Sequence, residues 1–334
     1  MAICPNWSGL EEKATQMQIM QMTRRGITAC AILLALSGPA LAQDAPVVRH
    51  LERAGDSRTD TQNAAPDTAF AIASVGKTMT AVAVLRRVAR GDLRLDDPAA
   101  DRVAPDIANG LGGLDRITLR HLLTMSSGLP DYYTDDYLED ALDDPNLQTP
   151  ATALGYAFGD SALFGPGRGF DYSNTNYVLL GLILEDATGQ TYAQALQREV
   201  FGPAGMTDSF VFGSRPLPDS FADTPGEVRA YYQAAGFGDG GVISTARDVA
   251  RFYRALFIDQ TLLPPDLLGM MTQDPIGEGY GMGVEVDGDV VGHSGGDLGF
   301  SSDVRLHRPS GTLAVMLVAD ENADTGWTDD QMPD

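Results

Sequence analysis

Near residue 280 the hydrophobic period of this chain changes, and that change limits the folds open to it. Between residues 75 and 257 apolar side chains recur at helical spacing, whereas beyond 280 they alternate or run in short β-branched stretches. A helix-period pattern does not settle as a strand, nor the reverse, so the chain needs both a helical part and a sheet drawn largely from its last third. The patterns predict strands over 280–286, 290–293, 302–307 and 312–318, with turns at Asp287-Gly288, at the Gly-rich stretch 295–299 and at Arg308-Pro309-Ser310-Gly311. Helices are predicted over 75–90 with Gly91 as the stop, over 119–125, over 176–187, and over 245–257 with Ser244 as the N-cap. Residues 131–169 read as an irregular, acidic, aromatic-containing excursion. The fold class expected is α/β in the α+β sense: an antiparallel sheet flanked by helices, with an all-helical lobe of about residues 92–240 inserted into the α/β lobe.

Residues 1–42 read as a signal peptide behind an upstream extension. Arg24 and Arg25 give a positive start, residues 27–36 an apolar stretch, and Ala40-Leu41-Ala42 a small-residue cleavage site. The product is expected to be exported, periplasmic or secreted, without stable membrane insertion. Both cysteines, Cys4 and Cys30, fall in that segment, so a domain of residues 43–320 must be held by core burial and not by disulfides. A formal charge of −23 repels nucleic acid and anionic membrane alike. His50, His121, His293 and His307 are scattered without metal-ligand spacing, and no Gly-rich phosphate loop is present; no metal and no cofactor are expected.

After residue 42 the chain has one lysine, Lys77, three positions beyond Ser74, while every other basic side chain is arginine. Arginine cannot release its proton in a protein, whereas burial can bring lysine toward neutrality and make it a base. Ser74 near a helix start, on one face with Lys77, is thus a candidate activated nucleophile. Two further segments offer chemistry. In Tyr172-Ser173-Asn174 a phenol could serve as phenolate or relay a proton, and an amide could orient both a lysine and a substrate carbonyl. In Gly292-His293-Ser294-Gly295-Gly296 successive backbone N–H groups could bind an oxyanion. Singly, each also reads as an ordinary turn or cap.

In order, Ser-x-x-Lys, Tyr-Ser-Asn and His-x-Gly resemble the three active-site motifs of the serine β-lactamase and penicillin-binding superfamily, in its class C-like branch with D-alanyl-D-alanine carboxypeptidases, D-aminopeptidases and family VIII esterases. The stretches 117–130 and 240–252 resemble two further signatures of that family, and the likeness spans roughly residues 66–319. It implies a β-lactamase/transpeptidase-like fold and an acyl-enzyme mechanism. Ser74 would attack, Lys77 and Tyr172 would manage its proton, and Asn174 would hold Lys77 and the substrate amide. The N–H groups of Ser74 and Gly296 would form the oxyanion hole, with Ser294 and Gly295 lining the substrate site. His293 stands where many members carry lysine; a histidine there, with Tyr-Ser-Asn, resembles carboxypeptidases and aminopeptidases more than typical class C β-lactamases, which keep the lysine. The substrates implied are D-alanyl peptides, β-lactams or short-chain esters; a peptidase, an esterase and a non-catalytic binder of the same fold all remain open.

Between Ala42 and Ser74 only Val47-Val48 reads as a strand, where relatives carry a hairpin, and residues 321–334 read as an acidic tail. The fold is therefore expected to be shortened at both ends, with exposed sheet edges and self-association as a consequence.

Overall fold

The computed structural model of the chain describes residues 45–333; the signal-peptide reading, with Cys4, Cys30 and Lys13, lies outside them. Its centre is an antiparallel sheet of β1 (Val47–Arg53), β2 (Asp56–Gln62), β6 (Glu285–Asp287), β7 (Val290–Asp297), β8 (Phe300–His307) and β9 (Thr312–Val318), in the spatial order β2-β1-β9-β8-β7-β6. Short strands β3 (Phe70–Ala71), β4 (Phe210–Val211) and β5 (Val242–Ser244) form a second sheet in the order β3-β5-β4.

The expectation of a missing hairpin is overturned. β1 and β2 form one, turning at Ala54-Gly55, and β1 pairs with β9 from Val47 opposite Val318 to Glu52 opposite Leu313. The sequence hid it because β2, Asp-Ser-Arg-Thr-Asp-Thr-Gln, is exposed on most of its length and carries no apolar alternation; only backbone pairing makes it a strand. The acidic stretch after Asp320 also packs. Alternate residues of β9 divide between two faces: Leu313, Val315 and Leu317 enter the main core, while Met316 and Val318 join Val47 under Trp327. Thr328 is buried and donates to Asp303, and Asp329 meets Arg305 at 3.2 Å.

Helix α1 (Gly76–Arg90) runs through the main core and buries almost every side chain of its first ten residues. It stops at Gly91, whose φ of 80° lets its N–H reach back to the carbonyls of Arg87 and Val88. At that end Glu199, fully buried, receives Arg86 at 3.3 Å, Arg90 at 3.0 Å, Arg198 at 2.9 Å and also Arg87. Helix α2 (Leu119–Leu123) opens with a Thr118/His121 capping box, α3 (Thr175–Thr188) follows Asn174, and α4 (Ala246–Tyr253) packs on β9 and β1. The N-cap of α4 is Thr245, which accepts from the Asp248 N–H, and not Ser244, whose hydroxyl turns to Ser209. The excursion 131–169 is more regular than expected, since helices start at Asp135 and Pro150 behind the caps Thr134 and Thr149. Among the described residues no helix is long and apolar enough to cross a membrane.

Candidate active site

Ser74 lies in a single 3₁₀ turn, Ala73–Val75, between β3 and α1. The turn is pinned on two sides. Ile72 donates its N–H to the Val242 carbonyl at 3.0 Å, and its own carbonyl accepts from the Ser302 hydroxyl at 2.8 Å. Ala73 sits at φ 46°, a region costly for a residue with a Cβ, so the backbone is strained immediately before the serine. β7 presses on the same turn. A Cβ at Gly295 would lie 2.8 Å from the Ile72 carbonyl oxygen and 3.0 Å from the Ser74 nitrogen, so only glycine admits this approach. β6 covers β7 only from Val290 to Gly292, and among the described residues no strand pairs with the edge from His293 onward on that side. A Cβ at Gly296 would meet nothing within 4 Å.

The second residue of α1, Lys77, one turn beyond Ser74, is completely buried. Its Nζ donates to the Asn174 amide oxygen at 2.7 Å and to the Asp239 carbonyl at 2.5 Å, and lies 2.9 Å from Ser74 Oγ. Burial pulls its pKa from 10.5 to about 8, against the opposing pull of the Asp239, Asp131 and Asp297 carboxylates. The Tyr172 ring lies 5.1 Å from Nζ. Burial pushes the Tyr172 phenol well above its usual range, although the Ser74 hydroxyl works the other way. That direction favours the proton-relay reading of Tyr172 over the phenolate one.

Asn174 caps α3, and the loop before it is stitched to the stretch 127–132. The Pro130 carbonyl accepts from Ser173 Oγ at 3.1 Å and Thr175 Oγ1 at 2.7 Å, and the Tyr132 N–H donates to Thr175 Oγ1 at 3.0 Å. The Tyr-Ser-Asn motif thus gains its position from the 117–130 signature beside it.

His293 stands behind the site. Its Nδ1 meets the Ser294 carbonyl at 2.6 Å, an acceptor only, so Nδ1 carries the proton and Nε2 accepts from the Tyr280 hydroxyl at 3.1 Å. Burial lowers its pKa to about 4, so the ring is neutral and does not supply the charge of the lysine it replaces. Ser294 is also turned away, donating its N–H at 3.0 Å and its hydroxyl at 2.7 Å to Glu285. Burial opposes ionisation of Glu285, but Arg305, His293 and Ser294 prevail and hold it at about 2.

The structure therefore gathers Ser74, Lys77, Tyr172, Asn174 and the Gly295-Gly296 edge, and sets His293 and Ser294 one layer behind. Sequence reasoning missed the surrounding carboxylates. Asp239 accepts from the Tyr132 hydroxyl at 2.7 Å and Asp297 from the Tyr133 hydroxyl at 2.6 Å, and burial raises both. Each follows or precedes a motif residue, Asp131 after Pro130, Asp239 before Gly240 and Asp297 after Gly296, which is the signal that points to them.

A family model described as Beta-lactamase matches residues 47–330. Penicillin-binding protein 4* of Bacillus subtilis (strain 168) is 30% identical over 261 residues, which cover 70% of this chain and 56% of that protein. Protein flp of Staphylococcus aureus (strain COL) is 28% identical over 290 residues, 78% of this chain and 54% of its own length. The chain thus spans about half the length of these relatives. Among solved structures, a D-stereospecific amidohydrolase from Streptomyces sp. superposes with a TM-score of 0.73 at 27% identity, covering 86% of this chain and 93% of that one. A penicillin binding protein from Bacillus halodurans, at 24% identity and a TM-score of 0.70, covers 82% and 91% and shares the fold.

Proposed function

The chain belongs to the Beta-lactamase family and has the fold of its hydrolases, and from that premise we propose that it is a serine amidohydrolase working through an acyl-enzyme on Ser74. One observation carries the reading: the three partners of Lys77 Nζ. A neutral amine has two N–H bonds and one lone pair. The Asp239 carbonyl and the Asn174 amide oxygen only accept, so they take both N–H groups, and the lone pair is left facing Ser74 Oγ. Ser74 then donates its proton to Nζ as its oxygen attacks a carbonyl carbon. The tetrahedral oxyanion collects against the N–H groups of Ser74 and Gly296 on the open edge of β7. Collapse expels the leaving amine, which takes a proton through Tyr172, and water releases the acyl group by the reverse relay.

The substrate class we favour is an amide on a D-amino acid or D-alanyl residue. The Streptomyces amidohydrolase supports it by matching nearly its whole length. The half-buried carboxylates of Asp239 and Asp297 beside the site suit a substrate with a positive amino group. Export, to the periplasm or beyond, fits such a substrate and belongs to the same proposal.

The test is intact-protein mass after brief exposure to a penicillin, then hydrolysis of D- and L-amino acid p-nitroanilides, with Ser74→Ala as control. Wild type alone should gain the adduct, and the acylation rate should climb with pH to a plateau above about 8, as Lys77 loses its proton. Equal labelling of Ser74→Ala, or a rate flat across that range, would sink the mechanism. A preference for L-anilides would remove the substrate class while leaving the mechanism.

A further inference from the structure

The lone-pair argument depends on which edge Asn174 turns toward Lys77, and nothing in Lys77 itself decides that. Asp131 does. Its Oδ1 accepts from the backbone N–H of Asn174 at 3.0 Å and of Tyr133 at 3.2 Å, and its Oδ2 accepts from Asn174 Nδ2 at 2.9 Å. A carboxylate cannot donate, so the amide edge facing it must be the NH₂ and the edge facing Lys77 must be the oxygen. We propose that Asp131 is a positioning residue of this site: by clamping Asn174 in one orientation it denies Lys77 a hydrogen-bond donor and so directs the lysine lone pair onto Ser74.

This rests on Lys77 acting as the base. A flipped Asn174 would aim an N–H at Nζ, capture the lone pair and leave the Ser74 proton without an acceptor. The remaining groups around Nζ cannot take over the clamp. The rings of Tyr172 and Tyr177 lie 5.1 and 5.9 Å away, Asp239 is tied to Tyr132, Asp297 is tied to Tyr133, and His293 is neutral and engaged at both nitrogens. Burial raises Asp131 to about 6, opposed by the Tyr133 and Asn174 N–H groups and by Lys77, so it is ionised at the pH where Lys77 works.

The experiment reads Lys77 directly. In the full chain labelled with [¹⁵Nζ]lysine there are two lysines, Lys13 and Lys77, and the titration of each can be followed without any substrate. Asp131→Asn is nearly isosteric. It keeps one oxygen for the two backbone N–H groups and turns an NH₂ toward the Asn174 amide, so Asn174 should flip. The Lys77 pKa should then fall by at least about one pH unit, through a lost carboxylate and a donor where an acceptor stood. Acylation by a fluorescent penicillin should drop roughly 100-fold at unchanged folding by circular dichroism. The exchange D131N/N174D restores the polarity, with the new amide donating to the new carboxylate and that carboxylate accepting from Nζ, so the Lys77 pKa should return to the wild-type value or above it. A generally loosened pocket would not be repaired by a second change. A Lys77 pKa in Asp131→Asn within about 0.3 of wild type, or no recovery in the exchange, overturns the clamp. If wild type takes no acyl group while the titrations behave as stated, the hydrolase reading falls and the clamp stands.

Discussion

The two ends of helix α1 hold buried charge in opposite ways. At its start a lysine is enclosed among neutral acceptors, with the nearest carboxylates one layer removed. At its end a glutamate is enclosed among guanidiniums, each placed to donate to it directly. The first arrangement leaves the charged form of Lys77 poorly compensated, so its proton comes off easily. The second overcompensates: burial disfavours the Glu199 anion, but Arg87, Arg86 and Arg90 outweigh it, while Arg87 is pushed further above an already high pKa. One end can change its protonation at ordinary pH and the other cannot. That contrast explains the division of labour between one lysine and many arginines better than composition does.

The contrast breaks most sharply at Lys77 itself. Lys77→Arg keeps the positive charge but can offer no lone pair, so acylation of Ser74 should fall by at least about 10³-fold, near 4 kcal/mol in barrier, with the fold retained. The check is adduct mass against time beside a melting curve, and near-normal acylation would mean that a fixed cation is enough. At the far end Glu199→Ala should do the reverse. Leaving four arginines around an empty site should cost about 3–5 kcal/mol of stability in denaturant unfolding, while acylation per folded molecule should stay within about twofold, the two ends being roughly 20 Å apart along the helix. A third test uses pH alone. Between about 8 and 10.5 the unfolded chain holds a proton on this lysine that the folded protein has shed, so stability rises with pH across that window. The gap in unfolding free energy between wild type and Lys77→Met should therefore move in favour of wild type by up to about 3 kcal/mol from pH 7.5 to 10. The arginine end should add no slope, because Arg87 titrates far above that range.

What could be read in the sequence was whatever chemistry restricts to particular residue types. Ser74, Lys77 and Asn174 stood out because few side chains can do their work, β9 because burial on both faces imposes an apolar run, and β8 because Val304 and Leu306 alternate with polar residues. Asp131 did not stand out. An aspartate after a proline also reads as a turn, and its role appears only when Asn174, 43 residues away, is brought against it. β2 was invisible because an edge strand needs partners for its backbone and nothing of its side chains. β7 extends to Asp297, beyond the point where the apolar signal stops at His293, since Ser294, Gly295 and Gly296 are held there by pairing with β8 and by the approach to Ser74.

The pairing of β1 with β9 has a consequence for the order in which this molecule comes into being. Val47 waits for Val318, and the turn carrying Ser74 waits for β7 and β8, the source of Ser302 and Gly295. Contacts of such sequence separation are late and slow to form, so the folding clock is set by the last strand and not by the helices that could form early. During synthesis Ser74 and Lys77 emerge well before β7, β8 and β9 and remain unaligned until those strands exist. A turn that waits for a contact 230 residues further along the chain keeps Ser74 and Lys77 out of register with the glycine edge of β7 until β8 has been made.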